Sequence, residues 1–395
     1  MKIGFSKVNI TPPILTCSNG GMYDKPDDFH LGVHDELFAR ALVLQDGKHC
    51  AALVSVDIIN ILMPYALNIK KMIKNHCNIP PENVIIHATH THSGPFSYKR
   101  KEGIRNAAYW EVTEQNIAGA VYMAKSNMQE FFVGAGHTDL DYALNRRVLM
   151  DNGKVLYLSK HPGLKPNQLT DKDLGVISFR KLDKRPLVTV MHYSCHPFTV
   201  AFVPRQISAD FPGAAVNNVE KRLFGSAMYI NGASGNIHPK RHAEGFEAME
   251  EFGMAMAEKT LDIIPFLEIS RGSKLRTICE TVELDLFPEK IEITEDISDF
   301  HSGDKFNLEI TIIALNDIAF VAIPGEYFVE LQLDIKKKSP FKNTFLLTTS
   351  NGYVSYIPNS NAYDQEGMEV GAAKFKRGSG EKIRDKIIEM LENIA

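Results

Sequence analysis

An apolar, β-branched run, Val84-Ile85-Ile86-His87-Ala88, delivers His90-Thr91-His92 and is then stopped by Ser93-Gly94-Pro95. Residues two apart in a strand project from one face, so this pattern predicts that both imidazoles point the same way, with His87 facing the other. Imidazole is the usual side chain for binding Zn²⁺ and for moving protons near neutral pH. A single histidine here reads as a strand-end residue bonded to backbone. A pair on one face beside a Gly-Pro turn reads as the rim of an active site.

The 395 residues suffice for one large domain or two smaller ones, each able to bury a substantial core. Hydrophobic content of 44% and charged content of 23% are those of a soluble globular protein. A net charge of −4 offers no basic field for nucleic acid, and Lys336-Lys337-Lys338 reads as a solvated helix end. No run reaches the roughly 18 apolar residues that a membrane-spanning helix needs. The opening segment from Met1 to Ile10 alternates like a strand and has no signal-peptide core. Cys17, Cys50, Cys77, Cys195 and Cys279 are widely spaced, odd in number and form no Cys-x-x-Cys pair. That favours reduced thiols and a cytoplasmic setting over a disulfide framework.

The coarse pattern is α/β, mixed sheets flanked by helices. Strand-like runs fall at 38–45, 50–57, 83–88, 174–180, 186–192, 226–231, 308–314 and 318–323. Helical patterns fall at 63–76, 109–127, 213–223, 244–264, 326–337 and 380–394, the last with Ile383, Ile387, Ile388 and Leu391 on one stripe. The polar stretch 286–307 reads as a loop or excursion, and the expectation is a single domain over 1–395.

Further chemistry sits at strand exits, where loops carry function. The strand ending at Met191 runs into His192-Tyr193-Ser194-Cys195-His196-Pro197, and the proline biases His196 to an extended backbone. A buried-looking strand to Ile323 breaks at Pro324-Gly325 and is followed by Glu326, at the positive end of the expected next helix. Asn145-Arg146-Arg147 offers a cation, and Gly352-Tyr353-Val354-Ser355-Tyr356 offers phenols. Taken alone, each reads as structural. Asp57 and the Ser208/Asp210 pair read as strand-exit and helix-cap residues, with orientation of a metal ligand as the minority reading.

In combination these segments resemble the neutral ceramidases, zinc amidases that release a fatty acid from ceramide. His90-Thr91-His92-Ser93-Gly94-Pro95 resembles their Thr-His-Thr-His-Ser-Gly-Pro signature. In the same order, the segments Gly4–Thr11, Gly32–Ala41, Val54–Asp57, His196–Thr199, Pro324–Tyr327 and Gly352–Ser355 also resemble family motifs. Agreement of seven ordered segments makes the resemblance specific. It spans nearly the whole chain but only that family's catalytic domain, without the C-terminal immunoglobulin-like domain of typical members.

The resemblance implies a zinc held by His90, His196, Glu326 and Tyr353, donors that are chemically suited to zinc at about 2 Å. It places His92 beside the metal as a proton-transfer residue and Arg146 against the substrate carbonyl. One departure matters. The family's Gly-Asp-x-Ser-Pro serine, assigned to attack or anchor the amide, is replaced here by His238 in Gly235-Asn236-Ile237-His238-Pro239. The expectation is therefore attack by zinc-activated water, with His92 as base and His238 protonating the leaving group or simply lining the pocket. The substrate is then a lipid-like or other small molecule cut at an N-acyl bond. Rival readings are an ester, phosphate or sugar-like substrate on the same fold, and a non-catalytic zinc-binding homologue. The sequence leaves the oligomeric state open.

Overall fold

Strands such as His49–Val56 and Val84–Ala88 are mostly apolar and buried along nearly their whole length because both of their faces are covered. The computed structural model describes residues 1–13, 30–95, 107–200, 205–287, 289 and 301–395. Three main sheets carry the architecture. The first runs Lys2–Asn9, Phe38–Asp46, His49–Val56, Val84–Ala88. The second runs Ser226–Asn231, Pro186–Tyr193, Asp173–Arg180, Phe132–Asp139, Ser270–Arg271. The third runs Leu275–Asp285, Lys305–Leu315, Ile318–Ala322, Asn343–Leu347, with the short His301–Ser302 strand on Lys305–Leu315.

Period-two alternation divides each strand between two cores. Leu42, Leu53 and Ile85 of the first sheet join Ile177, Val190 and Met228 of the second and Phe320, Phe345 and Leu347 of the third in one shared cluster. The intervening residues face outward onto helices. Val43, Val54 and Ile86 pack with Ile69 and Ile73 of Met63–Cys77 and Val121 of Ala107–Ser126. Met191 and Tyr229 pack with Val219 of Asp210–Leu223 and Phe252 of Phe246–Ile263. Ile312, Val321 and Leu346 pack with Leu331 of Val329–Lys338 and Ile387 of Ser379–Ile394.

Each sheet contains one parallel pair: His49–Val56 with Val84–Ala88, Pro186–Tyr193 with Ser226–Asn231, and Ile318–Ala322 with Asn343–Leu347. Parallel neighbours end on the same side, so their carboxyl exits deliver Asp57, His90, His196, Glu326 and Tyr353 towards one place. Buried histidines tie the three exits together. His87 Nδ1–H donates to Thr348 O at 2.9 Å, while its Nε2 accepts the Asn231 amide at 2.9 Å. His192 Nε2–H donates to Leu346 O at 2.9 Å.

This arrangement has a pH signature. Burial holds His87 down to about 3 and His192 down to about 4, against an ordinary value of 6.5. The unfolded chain therefore binds protons that the folded chain refuses, and stability falls as pH drops below 6.5. At pH 5 each histidine should cost on the order of 2 kcal/mol relative to pH 7. Urea denaturation at the two pH values checks this; a difference under about 1 kcal/mol in total would be inconsistent with two neutral, buried imidazoles.

The structure departs from the sequence reading in several places, three of which bear on the site or the sheets. The helix expected from 326 begins at Val329, because Glu326–Tyr327 instead pairs in parallel with Tyr356–Ile357. Glu326 is thus not seated on a helix N-terminus. Leu275–Asp285 is an eleven-residue edge strand that the sequence reading did not assign, since its outer positions are polar and only half-buried. The helix expected from 213 begins at Asp210.

Candidate active site

The strand carrying His90 and His92 ends at Ala88, so strand alternation is not what aligns the two imidazoles. His90 instead adopts a left-handed backbone, φ 73°, with its amide donating to Ile58 O at 2.9 Å. Left-handed histidine is uncommon and is the kind of local strain that collects at functional sites. The turn brings the His90 and His92 ring centroids to 4.9 Å, nearly perpendicular.

Two imidazoles converge on one carboxylate. His90 Nδ1–H donates to Ile59 O at 2.5 Å, and His196 Nδ1–H donates to Ser234 O at 2.6 Å. Carbonyls only accept, so both Nδ1 atoms carry a proton, and in the neutral form of each ring Nε2 presents a lone pair. Those lone pairs meet Glu326 Oε2 at 3.6 Å from His90 and 2.9 Å from His196. Tyr353 Oη donates to the other carboxylate oxygen, Oε1, at 2.6 Å. Burial alone would raise the Glu326 carboxyl, and only positive charge at the position of the His90 and His196 rings, which neutral rings do not supply, holds it well below the ordinary range. An ionised carboxylate facing two imidazole lone pairs is repulsive unless a cation lies among them. His90, His196, Glu326 and Tyr353 therefore come together as a set that fits a metal ion.

His92 belongs to the same cluster and differs in one respect. His90, His92 and His196 each offer a ring nitrogen, all within 4.8 Å of one another. Among the described residues, neither ring nitrogen of His92 has a hydrogen-bond partner, whereas metal-ligating histidines almost always donate their second N–H to a carbonyl or carboxylate. Burial, reinforced by His90 and His196, holds His92 well below its ordinary pKa, so it is neutral at pH 7. Its ring packs edge-on against Phe198 at 4.6 Å.

Behind the cluster lies Arg146. Its Nε donates to Glu369 Oε1 at 2.7 Å, Nη1 to His238 Nε2 at 2.6 Å, and Nη2 to Gly235 O at 2.7 Å. Arginine only donates, so His238 Nε2 is an acceptor and any ring proton sits on Nδ1. Burial and the Arg146 charge also keep His238 well below its ordinary pKa. Both observations run against His238 as a proton donor through Nε2. Its ring lies parallel to His242 at 4.3 Å and to Phe198 at 5.7 Å, which makes it part of a wall. Gly235 is required by close approach: a Cβ there would lie 2.5 Å from the Glu326 backbone oxygen. Ser234 contributes its carbonyl to His196, while its hydroxyl accepts from Asn231 at 3.2 Å.

Glu369, Arg147, Tyr157 and His242 escaped the sequence reading as a group. Glu369 is fully buried and also accepts from Arg147 Nη1 at 2.7 Å and Tyr157 Oη at 2.5 Å. No motif marks it; the only signal was an adjacent pair of arginines in an otherwise apolar strand region. Asp57 takes a structural role, accepting from Arg40 Nη1 at 2.5 Å and from the Phe38 amide at 3.0 Å. Cys17 lies outside the described residues.

Comparison with known proteins gives the family and the fold. The family model described as neutral/alkaline non-lysosomal ceramidase, N-terminal, matches residues 1–249. Neutral ceramidases of Drosophila pseudoobscura pseudoobscura and Drosophila melanogaster are each 27% identical over 237 residues, covering 58% of this chain. That match spans 33% of each relative, so the chain aligns with about a third of their length. Among solved structures, the neutral ceramidase from Pseudomonas aeruginosa superposes with a TM-score of 0.79 at 18% identity, covering 99% of this chain and 74% of that one. A ceramidase complexed with C2 gives the same TM-score of 0.79 at 16% identity, with the same coverage of 99% and 74%. At these identities the superpositions establish the mixed α/β fold.

Proposed function

The chain belongs to the neutral/alkaline non-lysosomal ceramidase family, and on that premise we propose that it is a zinc-dependent hydrolase cleaving an amide, N-acyl bond in a lipid-like or other small molecule. The observation that carries this is the pair of Nε2 lone pairs, on His90 and His196, aimed at the Glu326 carboxylate. His90, His196 and Glu326 would hold the ion, with Tyr353 as a weaker, displaceable fourth donor. When bound, zinc supplies polarisation of the scissile carbonyl and acidification of water.

The chain's own residues do the rest. His92, neutral and without a hydrogen-bond partner among the described residues, accepts the proton of the attacking water and returns it to the leaving nitrogen. Arg146, held from behind by Glu369, places positive charge where the carbonyl oxygen becomes negative. His238, in the position of the family serine, is a neutral wall fixed by Arg146 and takes neither the nucleophile's part nor the acid's.

The parallel rings of Phe198, His238 and His242 beside the cluster support a second reading on the same fold, a compact ester, phosphate or sugar-like substrate. The proposal includes one catalytic unit over residues 1–395, supported by the core cluster shared among the three sheets. It also includes a cytoplasmic setting, supported by free thiols at Cys50, Cys77, Cys195 and Cys279. Among the described residues, no helix is long and apolar enough to cross a membrane.

The test is metal analysis joined to a substrate panel of N-acyl amides, esters, phosphate esters and glycosides. Equimolar zinc is expected, with amide hydrolysis abolished by chelation and restored by Zn²⁺. Activity confined to another bond class would move the assignment to the second reading. Full zinc occupancy with no turnover on any class would leave a binding protein.

A further inference from the structure

Ser208, Ala209 and Asp210 lie between the two loops that bring histidines to the cluster, and all three are buried. Towards the first loop, Thr91 Oγ1 donates to Ser208 O at 2.7 Å, and the Ser208 amide donates to Ser93 O at 2.9 Å. These two bonds bracket His92 on both sides. Towards the second loop, Asp210 Oδ2 accepts the Thr199 amide at 2.9 Å and the Val200 amide at 3.2 Å, and the Thr199 hydroxyl donates to Oδ1. That loop begins with His196. From behind, Asp35 accepts from Ser208 Oγ at 2.5 Å and from the Ala209 amide at 2.7 Å.

We infer that Ser208-Ala209-Asp210 is a positioning clamp that sets the distance between the His90–His92 loop and the His196 loop, with the Asp210 carboxylate as its anchor. An ordinary helix cap bonds the amides of its own first turn. Asp210 does so once, to the Phe211 amide at 2.6 Å, while its other three donors come from Thr199 and Val200. Its backbone is left-handed, φ 57°, although it opens a right-handed helix. Such a conformation persists only where the surroundings over-determine it. Here the bonds on both sides do so. Neither Ser208 nor Asp210 hydrogen-bonds the ring nitrogens of the cluster, so the clamp acts through the loops and is not catalytic. Its consequence for metal affinity rests on the zinc reading above; its consequence for the loops does not.

Asp210→Gly removes the carboxylate, and glycine accepts the positive φ without strain. Two readouts are combined: amide hydrogen exchange, and zinc affinity by competition with a chromogenic chelator. The expected result is at least about tenfold faster exchange at Thr199 and Val200, with zinc affinity weakened about 10- to 100-fold, the range typical of groups that orient metal ligands. Thr199→Val, which keeps both amide donors and removes only the hydroxyl, should shift both readouts in the same direction by less. It carries the test should Asp210→Gly fail to fold. Parental exchange at Thr199 and Val200 overturns the clamp, as does faster exchange with parental zinc affinity, which would leave Asp210 a structural cap. A parent chain that binds no zinc ends the metal reading instead, and the exchange of these amides still decides the clamp.

Discussion

Glu326→Ala is expected to release the metal and lower hydrolysis by about 10³-fold. The carboxylate is the point on which the His90 and His196 Nε2 atoms converge, at 3.6 Å and 2.9 Å. Lewis-acid assistance is worth several kcal/mol, at about 1.4 kcal/mol per tenfold in rate. His196→Ala should behave alike, because it removes a lone pair fixed inward by the Ser234 carbonyl. His92→Ala should separate from both, keeping zinc and losing rate, since no carbonyl or carboxylate among the described residues orients its ring. Elemental analysis beside initial rates reads all three. Metal lost from His92→Ala as completely as from Glu326→Ala would make His92 a ligand and remove it as the base.

The contrast between His92 and its neighbours shows what the sequence could and could not carry. The β-branched run at Val84–Ala88 announces a buried strand, and the structure has one at those residues. What aligns His90 with His92 is a left-handed turn beyond the strand end, and no local pattern marks a histidine for φ 73°. Glu326 was legible as a strand-exit carboxylate after Pro324-Gly325. Its pairing with Tyr356 was not, because a two-residue parallel bridge between distant segments leaves no periodicity. Continuous apolar runs such as Ile318–Ala322 declared their burial, while the half-polar Leu275–Asp285 escaped as an edge strand. Arg146 read as a cation, yet the partner that fixes it, Glu369, lies 223 residues further on in a segment without motif. Chemistry held by short motifs at strand exits was visible. Chemistry held by lone residues meeting across sheets was not.

Glu369→Leu is the second large expected effect, on stability first and on turnover through it. The carboxylate is fully buried and serves Arg146 Nε and Arg147 Nη1, each at 2.7 Å. Burial alone would raise its pKa, but the two guanidinium groups pull it below the ordinary value, and it is a charge at pH 7. Removing it leaves two buried cations facing an apolar side chain, a change that costs about 3–5 kcal/mol when one partner of a buried pair is lost. The exposed pair of Lys154 and Glu366, at 2.5 Å and with side chains 48% and 67% accessible, is the control. Glu366→Gln should change stability by less than about 1 kcal/mol, since solvent screens exposed pairs. Turnover should fall with Glu369→Leu even at temperatures where the variant stays folded, because Arg146 loses the bond that aims it past His238. Urea denaturation of both variants gives the stability difference, and rates on the folded protein give the rest. If Glu369→Leu costs no more than Glu366→Gln, Arg146 is held by its other partners, His238, Gly235 and Tyr356, and the support behind the proposed oxyanion charge has been misassigned.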